Sequence, residues 1–406
     1  MNDSPEPFFP RRDFIRLAGV GIGASWAGTS SAEYRPPVKI IEGFKTPQPE
    51  PEKTDKLEVE EASGKLRVGI AGYGMCQFGA AFFFQSHPNV TVAAVTDLIP
   101  QRRADLARAC QCSKTYDSCE TMLLDESLDA VFIATDAPSH ARLAIEALNK
   151  GKHVASAVPA VFGNNGLDEA EQLLEAVKKS GKKYMMFETS AFRADCYDWR
   201  KKYAEGKFGK LVYSEGEYYH YAPKPFPGYN PITRNVDANG WRKGVPPQWY
   251  PTHSNAYYVC VSGGRFTRVS CLGMPSIVPH LQAANNIYRN RFGTEIALMR
   301  TSEGGMSRMA VSWGTPDAHG EKGRVYGQQK VGPLTHRKPT LPKGVGAGGH
   351  GGSHGYLTHD FVESILLDRK PSVGIEAALN MTVAGIVSHK SAFKDGEWME
   401  IPQYTL

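Results

Sequence analysis

The chain has 406 residues, 41% of them hydrophobic and 22% charged. That length exceeds one ordinary domain and fits two, and the composition excludes a disordered or fibrous protein. The formal charge of +5 is small, and its lysines and arginines are scattered rather than blocked, which argues against nucleic acid as a partner.

In chain order, residues 10–32 read PRRDFIRLAGVGIGASWAGTSSA. Arg11-Arg12, a run of small apolar residues and a closing Ser30-Ser31-Ala32 predict a twin-arginine export signal (1–32) and a periplasmic or other extracytoplasmic destination. The modest hydrophobicity of the run argues against lasting membrane insertion. Residues 33–63, rich in Pro, Glu and Lys, read as a linker or surface arm. The seven cysteines are odd in number and sparsely spaced. Cys110, Cys112 and Cys119 lack a second cluster to complete a metal site, so buried free thiols are expected.

Apolar strands are expected at 65–74, 90–97, 128–135, 153–158 and 183–189. They alternate with helices at 75–87, 100–110, 139–151 and 166–181. Near-continuous apolar strands in that alternation predict an α/β fold that opens with a parallel Rossmann sheet domain over 64–188. The pattern then changes. Aromatic, alternating segments at 211–221, 265–274, 294–302 and 307–316 predict a second α/β domain over 189–373, built on a large, mainly antiparallel open sheet. A helix is expected at 251–263, and the Gly-rich run 344–368 turns helical near Tyr356. A helix at 374–396 belongs to a tail, 374–406, returning toward the first domain.

GIAGYGMCQFG (69–79) follows a strand, so Gly72 and Gly74 read as a turn that lets the backbone approach a pyrophosphate, with Tyr73, Met75 and Cys76 on the same turn. Gln77 stands where a third glycine is usual. Asp97 ends the second strand, where a carboxylate accepts both ribose hydroxyls and repels a 2′-phosphate, so NAD is expected over NADP. Arg102 is placed to hold a phosphate or to cover the adenine. Thr135, Pro138 and His140 belong to ATDAPSHA at the end of the third strand, in the crevice outside the strand ends. Pro159 and Glu188 end the next two strands and complete the expected cofactor set.

AGYG, VTD, ATDAPSHA, GKHVASAVP, KYMMFET and FGKLVYSEGEYYH together resemble the Gfo/Idh/MocA family of sugar and cyclitol oxidoreductases over residues 65–395. The resemblance implies NAD, a carbohydrate or cyclitol substrate, and a homo-oligomer formed through the second sheet. Dehydrogenases of that family carry Glu-Lys-Pro where this chain has Ala157-Val158-Pro159, so their lysine is absent. The chain is also similar to a lysine-lacking branch that includes exported NAD-dependent glycosidases, through VP at 158–159, MMFE at 185–188 and YPTH at 250–253. It departs from that branch at Ala157, Thr189-Ser190 and GGHGGSH (348–354). The resemblance therefore implies an exported NAD-dependent enzyme that moves a hydride on a sugar. The alternatives are a redox-neutral glycoside hydrolase and a non-catalytic NAD- and sugar-binding protein.

Without the lysine, acid–base work falls to histidine and tyrosine in the second domain. The candidates are His253 at a helix start, His220, Tyr250 and Tyr219; strand alternation sends Tyr219 and His220 to opposite faces. Trp241, Trp249 and His354 are candidates for the sugar. His350, His354, His359 and Asp360 have no metal-site spacing, and no metal is expected.

Overall fold

The computed structural model describes residues 65–230 and 232–406, all within the unit Lys53–Leu406. The expected export signal and surface arm lie outside the described residues. The first sheet contains β1 (Leu66–Ala71), β2 (Val90–Thr96), β3 (Thr115–Tyr116), β4 (Ala130–Ile133), β5 (His153–Ser156) and β6 (Tyr184–Met186), in the order β3-β2-β1-β4-β5-β6. All pairs are parallel. Both faces are covered, which is why Val68, Ile70, Val131, Phe132, Val154 and Met185 are fully buried and the strands read as apolar runs. Strand order reverses between β1 and β4, and the crevice opens there.

The expected helix over 75–87 is not continuous. A short helix α1 (Phe78–Ala81) and a 3-10 turn (Phe84–Ser86) replace it. Gln77 and Phe83 adopt left-handed backbone, with φ of 52° and 64°, and each interrupts the helical path. The remaining helices of this half are α2 (Pro100–Ala109), α3 (Cys119–Leu123), α4 (His140–Asn149) and α5 (Gly166–Ser180). Helix α5 ends as its sequence predicts, with Gly181 at φ 65° taking up the left-handed cap.

After α6 (Ala194–Ala204) comes the second sheet: β7 (Leu211–His220), β10 (Phe266–Pro275), β11 (Phe292–Thr301), β12 (Met306–Ser312), β13 (His319–Gly327) and β14 (Met399–Glu400). Its order is β13-β7-β12-β11-β10-β14, antiparallel except between β7 and β12. A small hairpin of β8 (Gly228–Asn230) and β9 (Asn235–Asp237) stands apart. One face of the large sheet is covered by α7 (Thr252–Ser262) and α9 (Ile375–Phe393); α8 (His354–Leu366) precedes α9 in the chain. Two glycines let α7 come close. A Cβ at Gly216 would lie 2.0 Å from the Ser254 carbonyl oxygen, and one at Gly323 would lie 2.0 Å from the Tyr257 ring. Helix α9 also packs on α5 and β6, so the tail returns to the first half. No helix among the described residues is long and apolar enough to cross a membrane.

Candidate functional site: a glycine turn and a buried histidine

The chain leaves β1 through Gly72, with φ of 102°; a Cβ there would lie 2.3 Å from the Ala134 carbonyl oxygen. Gly74 has nothing within 4 Å of a Cβ position, so the backbone beside it stays open to a ligand. Gln77 avoids crowding through its left-handed backbone. The close helix–strand approach is made two residues later by Gly79, whose Cβ would sit 2.4 Å from the Gly72 carbonyl oxygen and 2.8 Å from Leu106 Cδ1. The third glycine has thus moved along the chain.

Asp97 is oriented by backbone donors. Its Oδ2 accepts the Tyr73 N–H at 2.7 Å and its Oδ1 the Ile99 N–H at 2.8 Å. The remaining lone pairs are free to accept the two ribose hydroxyls. Gly72, Gly74, Met75, Cys76, Asp97, Arg102, Thr135 and His140 line one cleft with Tyr229, Trp241, Arg242 and Tyr250 of the second half. An open glycine turn beside a pre-oriented carboxylate fits NAD. Asp97→Ala is expected to weaken NAD binding by about 10–100-fold, as measured by calorimetric titration, because a charge-assisted pair of hydrogen bonds is lost.

His140 does not reach the cleft as a free ring. Its Nδ1 lies 2.9 Å from the Pro159 carbonyl oxygen and its Nε2 3.3 Å from that of Thr135. Burial pushes its pKa down, and a neutral ring carries one N–H, so it donates to one of these two carbonyls, the Pro159 oxygen at 2.9 Å being the nearer. The Val158–Pro159 peptide is cis. Pro138 lies in the 3-10 turn Ala137–Ser139.

His253 occupies the first turn of α7 and is 5% exposed. Its Nδ1–H donates to Glu188 Oε1 at 2.8 Å, and Glu321 Oε2 lies 3.4 Å away. Burial alone would lower its pKa, but Glu188 first and Glu321 next outweigh that and raise it to about 9. The ring is therefore an imidazolium at neutral pH, and Nε2 has no protein partner among the described residues. Tyr218 packs against it with ring centroids 4.5 Å apart, and Tyr250 at 5.8 Å. Burial raises both phenols, Tyr250 to about 12, so they remain protonated donors.

Four expected residues take other positions. Tyr219 projects to the sheet face opposite His253, because Gly216 and Tyr218 face α7 and side chains alternate along β7. Glu188 is fully buried behind His253 rather than at the cofactor or sugar; its Oε1 also accepts the Ser190 N–H at 2.9 Å. Trp249 packs into the core against Phe162, Tyr288 and His389. His354 is 4% exposed and stacks on Phe82 with centroids 4.2 Å apart. His220 is exposed at the end of β7, and burial of part of the ring, then His319, then Arg242, depress its pKa.

The sequence reading missed Tyr218, Glu321, Arg242 and His350. Arg242 lies over the Trp241 ring, 4.3 Å from its centroid. His350 shares a hydrogen bond of 2.8 Å with His354. It leads a turn of three left-handed residues, with φ of 50° at His350 and 72° at Gly351 and Gly352. Burial, then the His253 charge, lower the His350 pKa to about 4. A glycine run with one central histidine was the available signal. His359, by contrast, pairs with His87 at 3.2 Å.

Residues 66–188 match the Gfo/Idh/MocA model, described as an oxidoreductase family with an NAD-binding Rossmann fold. This segment is a Gfo/Idh/MocA NAD-binding domain. Glycosyl hydrolase family 109 protein 1 of Bacteroides fragilis (strain YCH46) is 31% identical to this chain over 228 residues, which are 53% of this chain and 48% of that protein. The match thus spans about half the length of that curated relative. A Glycosyl hydrolase family 109 protein of Saccharopolyspora erythraea is 22% identical, over 98% of this chain and 94% of its own. Among solved structures, a levoglucosan dehydrogenase in complex with NADH and L-sorbose superposes with a TM-score of 0.66 at 16% identity, over 84% of this chain and 100% of that one. The scyllo-inositol dehydrogenase of Lactobacillus casei gives 0.63 at 15% identity, over 83% and 98%. At such identity these two likenesses establish the fold.

Proposed function

We propose that this Gfo/Idh/MocA chain is an NAD-dependent enzyme that cleaves a glycosidic bond by a redox-neutral route. One arrangement carries the reading: Glu188 and Glu321 flank His253 at 2.8 and 3.4 Å and favour its charged form, burial and that charge favour the neutral form of His350, and the lysine position is Val158. A pair of titratable groups driven apart in this way supplies an acid and a base at one pH. The similarity to proteins named Glycosyl hydrolase family 109 supports the same reading.

Held by the glycine turn and Asp97, NAD would supply the redox chemistry: a sugar carbinol would lose a hydride to it and its hydroxyl proton to water, becoming a ketone, and would regain both within the same turnover. The ketone so made acidifies the neighbouring C–H. His350, neutral, accepts that proton; the glycosidic C–O bond breaks, and the His253 Nε2–H protonates the departing oxygen. Water then adds across the resulting double bond. Arg242, held over the buried Trp241 ring, offers the sugar hydrogen-bond donors. A cofactor restored in every turnover suits work outside the cytoplasm, to which the leader-like segment 10–32 points. The face of the second sheet away from α7 carries exposed Leu272, Met274, Ile296 and Leu298, which supports self-association.

Aryl glycosides incubated with the NAD-loaded protein are expected to release aglycone without net NADH, and to react more slowly when the sugar C2 hydrogen is deuterium. Stoichiometric NADH from a free sugar, without aglycone release, would replace this reading with net dehydrogenation. Neither product would leave an NAD- and sugar-binding protein.

A further inference from the structure

Two carboxylates flank His253, and only Glu188 comes from the nucleotide half. Glu321 belongs to β13, the outer strand of the second sheet. Its register partner is Tyr218, so both side chains leave the sheet on the face covered by α7. There Glu321 is 9% exposed and its Oε2 accepts the Ser190 Oγ–H at 3.1 Å. Its Oε1 accepts an N–H of Arg193. Arg193 in turn underlies the glycine turn: a Cβ on Gly351 would meet its Cγ at 3.4 Å and its Cζ at 3.5 Å. Glu188 and Glu321 on one side, Arg193 and the His253 imidazolium on the other, sum to zero charge. A neutral His253 would leave an uncompensated buried carboxylate, which is costly.

We propose that Arg193 and Glu321 are a positioning pair: Glu321 helps keep the His253 ring charged, while Arg193 fixes Glu321 in place and seats the His350 turn on the same group. The pair touches no reacting atom. Its meaning for catalysis rests on the proposed function, but its charge arrangement does not. The groups facing His253 are Glu188 beyond β6, Glu321 on β13, Tyr218 and the more distant His220 on β7, Tyr250 ahead of α7, Arg193 ahead of α6, and His350. The two phenols stay protonated and His350 stays neutral, so the carboxylates and Arg193 set the charge. The carboxylates favour the cation and Arg193 opposes it.

The test is a histidine-labelled NMR titration of the full chain with NAD bound, with the His253 signal assigned by its loss in His253→Gln. Glu321→Gln is expected to lower the proton affinity of His253 by about tenfold. Arg193→Met is expected to raise it, and the double variant to return toward the parent. If glycosides are cleaved, both variants lower kcat with KM nearly unchanged. An unmoved midpoint in Glu321→Gln, or a lowered one in Arg193→Met, overturns the proposal. Should Glu321→Gln fail to bind NAD, the sign of Arg193→Met decides alone. Failure to cleave any glycoside would sink the proposed function and leave these titrations intact.

Discussion

His253→Ala is expected to lower kcat/KM for the cleaved glycoside by roughly 10²–10⁴-fold, the range for loss of one general acid. NAD binding should survive, since the glycine turn and Asp97 belong to the first half whereas His253 sits in α7 of the second. Calorimetry for the cofactor and aglycone release for turnover separate the two effects. The pH profile carries a second signature. His253 acts as the acid only while protonated, so activity is expected to fall on the alkaline side with an apparent pKa near 9. Retained turnover in His253→Ala would remove this residue from the mechanism.

Glu188→Ala is expected to destabilise the folded chain by about 3–5 kcal/mol, because it strands the His253 cation in a buried site. The charge loss alone is read from Glu188→Gln by following stability against pH. His253 holds its proton more tightly when folded, at about 9, than at its ordinary value of 6.5. Its contribution is therefore complete below 6.5 and disappears as pH rises through about 9. Burial works to raise the pKa of Glu188, but the His253 charge and hydrogen bonds hold it below the ordinary 4.5. Its contribution is present above 4.5 and is lost as pH falls through the lower folded value. Urea melts should thus show greatest stability from this pair between about 4.5 and 6.5, with a decline toward pH 9. In Glu188→Gln that alkaline decline should flatten.

The nucleotide half was legible because its strands are buried on both faces and its turn glycines have few other uses. The relocated third glycine was not, since Gln77 solves the crowding with its own backbone and Gly79 shows its role only against Gly72 and Leu106. In the second half, β13 left almost no pattern. His319-Gly320-Glu321-Lys322-Gly323 lacks apolar alternation because this is an edge strand, and because the Tyr257 ring fills the place of a side chain at Gly323. Missing the strand meant missing Glu321. On β7 the alternation was sound, but its phase was set by Gly216 touching α7, so Tyr218 rather than Tyr219 meets His253. His350 was hidden for a different reason. Consecutive left-handed residues obey no period, so a glycine run does not reveal which side chain it presents.

Helix α9 fixes when the site can exist. It presses so closely that a Cβ at Gly385 would lie 2.1 Å from the Gln248 carbonyl oxygen, one residue before Trp249. Asn255 Nδ2 donates to the Met381 carbonyl oxygen at 2.7 Å. Across the same junction, Glu295 Oε1 lies 2.6 Å from His389 Nδ1 and Oε2 accepts the Gln248 N–H at 2.7 Å. The segment bearing Tyr250 and His253 therefore rests on a helix that is synthesised well after it. During synthesis the glycine turn and Asp97 emerge with all the strands of their sheet well before residue 375. Because α9 also packs on α5 and β6, both halves reach their folded packing only once that helix has docked.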